Sequence, residues 1–142
     1  MIRMLYGLML MLMSTQSLPR SQNENPITKN DKNNHAKMDS IKVKITIGQK
    51  TATAILYDNP TSKEFASFFP LSLEMEDYNR TEKINLLTQK LTSKDAPSGF
   101  DPSVGDITYY EPWGNIALFY KDFGYSNGLI SLGKITSGFD AF

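Results

Sequence analysis

Five aromatic side chains crowd the stretch Y-Y-E-P-W-G-N-I-A-L-F-Y: Tyr109, Tyr110, Trp113, Phe119 and Tyr120, with the only Trp of the chain inside a proline-glycine turn. Aromatics beside a rigid turn offer large contact area at little entropic cost, the chemistry of holding a peptide segment or a small apolar molecule. Other chemistry has less to work with. Hydrolysis needs a nucleophile beside a base. The chain has no Cys, its single His is His35, and its serines stand in ordinary turn and strand contexts. His35 has no ligand-type partners at metal spacing, so neither a metal nor a cofactor is expected. Glu74 and Glu76 place two carboxylates near one another, as acid/base work would need. In L-S-L-E-M-E-D-Y, however, they occupy the polar positions of a period-two pattern, with Leu71, Leu73 and Met75 inward, which describes a solvated sheet face. Arg80, in the turn Asn79-Arg80, is the sixth candidate site residue, a hydrogen-bond donor in the globular part.

Strands must position these groups. I-K-V-K-I-T-I alternates strictly, with Ile41, Val43, Ile45 and Ile47 on one face; Gly48-Gln49 is the turn, and K-T-A-T-A-I-L-Y returns as the second arm of a hairpin. Asn59 is a good N-cap with Pro60 at N1, and Pro70 closes a helix of about ten residues. Phe65, Phe68 and Phe69 share one face of that helix and plug the core. A polar loop runs from Thr92 to Pro102, and three strands follow, Asp106 to Tyr110, Asn115 to Tyr120 and Leu129 to Ile135. In I-A-L-F-Y both faces are apolar, as in a central strand covered on each side, and alternation sends at least half of the aromatic candidates into the core. The pattern predicts a mainly β fold, a small closed β-barrel with one or two short helices over residues 39–142.

The chain of 142 residues carries 15 basic and 15 acidic groups, distributed unevenly: residues 1–38 are +3 and the remainder −3. A slightly acidic globular part with no Lys/Arg cluster lacks the footprint of a nucleic-acid binder. M-I-R-M-L-Y-G-L-M-L-M-L-M-S-T-Q-S joins a basic start to a short apolar run and small or polar residues, so residues 1–17 are expected to be a signal peptide. That run covers about 15 Å as a helix, roughly half a hydrocarbon core, so no stable membrane span is expected in the mature protein. Export to a periplasm or to the exterior follows, with an uncleaved N-terminal anchor as the alternative. Residues 18–38, crowded with Asn, Lys and Pro, are expected to form a flexible linker. Without Cys, neither a cysteine-linked lipid tether nor a disulfide is available.

The series I-K-V-K-I-T-I-G, L-Y-D-N-P-T-S-K-E-F, L-S-L-E-M-E-D-Y-N-R-T-E-K-I, S-V-G-D-I-T-Y-Y-E-P-W-G-N-I-A-L-F-Y-K-D-F and G-L-I-S-L-G-K-I, in that order over residues 41–138, resembles the bacterial cyclophilin-like domain family. The resemblance implies the cyclophilin fold, a small β-barrel with helical plugs. It implies less about activity. True cyclophilins carry F-H-R ahead of their key arginine's strand and N-G-S-Q-F-F later; this chain has no F-H-R, reads N-I-A-L-F-Y, has no His in the domain and places its only domain Arg, Arg80, in a turn. Rotation about an X-Pro bond faces a barrier of about 18–20 kcal/mol. One well-placed donor to the twisted amide is worth about 2.7–4 kcal/mol, so its loss costs roughly 100- to 1,000-fold. The expectation is therefore an exported, non-catalytic module that binds a peptide or small apolar ligand; the alternative is a weak or specialised peptidyl-prolyl isomerase using the same surface and Arg80.

Overall fold

The structure, a computed structural model, describes residues 40–142. The expected signal segment 1–17, the linker 18–38 and His35 lie outside the described residues. Alternation folds β1 (Ile41–Ile47) and β2 (Lys50–Leu56) into the expected hairpin, Ile41 opposite Leu56 and Ile47 opposite Lys50. Gly48, at φ +59°, supplies the left-handed position at the start of its two-residue turn. Ala52, Ala54 and Leu56 bury their common face. The side chain of Asn59 accepts the Ser62 N–H at 2.8 Å and Pro60 stands at N1, so α1 (Pro60–Ser67) begins where cap chemistry puts it. It stops at Ser67, short of Pro70, with Phe68 as C-cap. Phe65 is buried, Phe68 and Phe69 pack on the same core, and Phe65 meets Phe69 edge-on at 5.1 Å. The phenylalanine face is the expected plug.

After α1 come β3 (Glu76–Tyr78), β4 (Glu82–Leu86), β5 (Gly99–Phe100), β6 (Asp106–Tyr110), β7 (Asn115–Phe119), β8 (Ser126–Asn127) and β9 (Leu129–Ser137), then a 3-10 turn at Phe139–Ala141. Seven strands form one antiparallel sheet in the order β1-β2-β9-β6-β7-β4-β3, while β5 and β8 pair apart, inside the polar loop and after β7. Of the described residues, no helix is long and apolar enough to cross a membrane.

The mainly β expectation holds, but the closed barrel is corrected to an open sheet. Among the described residues β1 pairs only with β2 and β3 only with β4, so two edges remain. The cause lies ahead of β3: Leu71 to Met75 takes no strand conformation, leaving β3 as three exposed residues, too short a ladder to meet β1. Leu73 and Met75 turn inward as alternation requires, whereas Leu71, next to Pro70, is exposed. Side chains join the two ends of the sheet instead of hydrogen bonds. Val43 and Ile45 of β1 pack on the same core as Leu73, Met75 and Leu87, together with the α1 phenylalanines.

Candidate functional site

β7 is buried at all five positions, because the sheet is covered on both faces as the doubly apolar I-A-L-F run requires. Ile116 and Leu118 enter the main core with Ile107 and Tyr109. Ala117 and Phe119 point the other way, to a smaller cluster with Leu129, Ile84, Phe100 and Tyr110. On this second face lies a hollow of about 170 Å³. Its floor follows the register of β4 on β7, with Glu82 opposite Phe119 and Ile84 opposite Ala117, and β3 adds Tyr78 opposite Glu82. Tyr110 of β6, Asn115 of β7, Trp113, Phe123, Ser126 and Leu129 complete the lining.

The β6–β7 turn holds the aromatic wall. Gly114, at φ +77°, donates its N–H to the Tyr110 carbonyl at 2.8 Å, a left-handed closure that leaves Trp113 half exposed beside the hollow. The Trp113 ring meets Tyr110 at 5.5 Å and 79° on one side and Tyr78 at 5.5 Å and 87° on the other. The three rings thus stand in an edge-to-face chain along the opening.

Two polar atoms in this lining are buried with no hydrogen-bond partner among the described residues, Glu82 Oε2 and Asn115 Oδ1. Asn115 is 2 % exposed, and its Nδ2 is spent on the Ile116 carbonyl, so its free group is an acceptor. Burial first, and the Asp77 charge second, push the Glu82 carboxyl above its ordinary value. Among the described residues no group of three His, Cys, Asp or Glu is placed to hold a metal.

Of the six residues singled out from sequence, the hollow brings together three: Tyr110, Trp113 and Phe119. Tyr109, one residue before Tyr110, takes the opposite face and is fully buried in the main core. Tyr120 and Arg80 belong to a separate charged group. The Tyr120 hydroxyl donates to Asp77, whose carboxylate also pairs with Lys83 at 3.3 Å. That hydrogen bond holds the Asp77 carboxyl below its ordinary value and pushes Tyr120 up to about 12. Sequence reasoning missed Tyr78, Glu82, Ile84, Asn115, Ala117, Phe123, Ser126 and Leu129. The alternation of E-K-I-N-L already puts Glu82 and Ile84 on one face; nothing local signals Phe123 or Ser126.

Arg80 has a conformational role of its own. Asn79 and Arg80 sit at φ +51° and +55° in the turn closed by the Thr81 N–H on the Tyr78 carbonyl. The left-handed region costs a non-glycine residue about 1–2 kcal/mol, partly offset by the greater unfolded-chain entropy of glycine. Arg80→Gly is therefore expected to stabilise the fold by about 0.5–1 kcal/mol, read as a higher denaturation midpoint.

A family model described as the cyclophilin-like family matches residues 45–142, most of the chain and nearly all of the described residues. No curated protein and no solved structure matches. The match begins within β1 and runs through the whole sheet, the hollow and the terminal turn, and the chain belongs to the cyclophilin-like family.

Proposed function

We propose that this protein is an exported, non-catalytic binding module that takes one side chain of a peptide, or a small molecule of that size, into the hollow beside Trp113. The observation that carries the reading is the hollow itself: about 170 Å³, walled by Tyr110, Trp113 and Phe119 and backed by the wholly buried strand β7. Its size sets the ligand. Apolar cavities of about 150 Å³ hold a benzene ring, whereas pockets for whole drug-sized ligands run from about 300 Å³ upward. One ring or one long side chain fits, with the rest of the ligand outside.

The isomerase alternative needs a donor at the twisted amide. Arg80 is not among the lining residues, and the two buried polar atoms of the lining that lack a partner among the described residues are both oxygens, of Glu82 and Asn115. Binding without turnover is the better fit. Export rests on the signal-like order of residues 1–17.

The test is an NMR titration of the isotope-labelled chain with an Ala-Pro peptide and with small ring compounds, recording amide shifts and cis/trans exchange peaks. The expected result is shifts around Trp113, Ala117 and Phe119 without exchange peaks. Trp113→Ala, at a half-exposed site, is expected to weaken binding at least tenfold, because buried aromatic anchors carry about 2 kcal/mol or more of an interface. Arg80→Ala should leave affinity unchanged. Exchange peaks that vanish in Arg80→Ala would establish the isomerase instead.

A further inference from the structure

The hollow is polarised. Its eleven lining residues include one acid, Glu82, and no Lys or Arg. The nearest base on β4, Lys83, points to the other face, where its ammonium is engaged by Asp77 at 3.3 Å and lies 5.6 Å from the Tyr120 ring centre. Glu82 Oε2 is thus a buried carboxylate oxygen without a partner among the described residues, and Asn115 Oδ1, in a side chain almost wholly buried, is a second. A buried acceptor left unmade costs about 1–3 kcal/mol, more when charged, so both oxygens favour a ligand that brings N–H groups. The aromatic wall selects for charge as well. Tyr78 and Tyr110 each stand nearly perpendicular to Trp113 along the opening, and aromatic ring faces attract cations.

We propose that the hollow binds an organic cation that retains N–H bonds, an alkylammonium or a guanidinium, with its charge at Glu82 and its apolar stem against Ile84 and Leu129. The inference rests on the binding reading above and names the ligand class for it. Quaternary ammonium groups, which have no N–H to give, satisfy the rings and leave both oxygens unpaired. The spacing adds a second requirement. Glu82 lies opposite Phe119, four residues along β7 from Asn115, a separation of roughly 13 Å between backbone positions. A lysine or arginine residue in a peptide carries both donors, the charged head and, a stem's length away, its own backbone N–H. A free amine carries the first alone.

Four probes test this on the full chain by NMR titration: the N-acetyl N-methylamide of lysine, the same compound acetylated on its ε-nitrogen, butylammonium, and tetramethylammonium. The expected result is shifts around Glu82, Trp113 and Ala117, with the lysine compound at least tenfold tighter than its neutral acetylated form, about 1.4 kcal/mol, and tetramethylammonium weaker than butylammonium. Glu82→Gln should bring the lysine and acetyl-lysine affinities together. Lysine compound tighter than butylammonium assigns a peptide side chain; equal affinity assigns a free amine. Equal binding of the lysine and acetyl-lysine compounds would overturn the cation and leave the hollow as a binding site, and silence from all four probes, together with silence from the ring compounds, would overturn both.

A folding control comes with the variant. The folded carboxyl of Glu82 is raised above its ordinary value, with Asp77 and Tyr120 as the titratable groups beside it. Its contribution to stability is therefore present below the ordinary range and lost as pH rises through the raised value. Glu82→Gln escapes that loss, so its melting temperature should match the parent near pH 4 and exceed it at pH 7.

Discussion

Replacing Gly133 with alanine is expected to cost at least ~3 kcal/mol of stability, above the ordinary range for overpacked sites. Gly133 lies on β9, opposite Leu56 of β2 and Ile107 of β6. A Cβ built there would stand 2.0 Å from the Ile55 carbonyl oxygen and 2.8 Å from Leu56 Cα. Both are backbone atoms, so no side-chain rotation relieves the clash. Nor can β2 retreat, because the flanking carbonyl of Leu132 accepts from the Tyr57 N–H and from the Ser62 hydroxyl, each at 2.8 Å, tying β9 to the end of β2 and to α1. Urea denaturation checks the value, and Gly48→Ala is the comparison. Gly48 is at φ +59° with nothing within 4 Å of a built Cβ, so that variant meets only backbone strain of about 1–2 kcal/mol. If the two variants lost the same stability, β2 and β9 would not approach this closely at Gly133.

Gly133 also marks where the sequence stops being legible. Alternation in I-K-V-K-I-T-I and the Asn59-Pro60 cap are local signals, and the hairpin and α1 form where those signals put them. The doubly apolar I-A-L-F run is equally local, and it correctly placed β7 as an interior strand, between β6 and β4. What alternation cannot say is which of two buried faces is core and which is hollow. Tyr109 and Tyr110 are adjacent and chemically alike; only the register of β6 against β7 and β9, with a bulge between Ile107 and Thr108, decides that the first is sealed and the second lines the opening. Glu82 was out of reach for a different reason. Alternation sets its face, but its burial needs the strand pairings on both sides, the long-range one with Phe119 and the hairpin one with Tyr78. Sheet closure failed on the same ground. The residues from Leu71 to Met75 have the composition of a strand, but they pair with no strand among the described residues.

The second large effect expected is at Tyr109, where the two faces of the sheet can be told apart experimentally. Its side chain is fully buried, and its hydroxyl accepts the Leu91 N–H at 3.1 Å. Tyr109→Ala should cost about 3–5 kcal/mol, as other large aromatic deletions do. Tyr109→Phe keeps the ring and orphans the Leu91 N–H in the core, for about 1–3 kcal/mol. That bond is one of three that fasten the start of the polar loop: the Thr92 N–H donates to the Glu64 carboxylate, and the Thr61 hydroxyl donates to the Thr92 carbonyl at 2.8 Å. Hydrogen exchange at Leu91 and Thr92 should therefore accelerate in Tyr109→Phe, beyond what the loss of global stability explains. Affinity for a ligand in the hollow should not change, because Tyr109 faces the main core and Tyr110 faces the opening. A Tyr109→Phe variant that lost binding while keeping its loop protected would put the ligand on the wrong side of β6 and undo the assignment of the site.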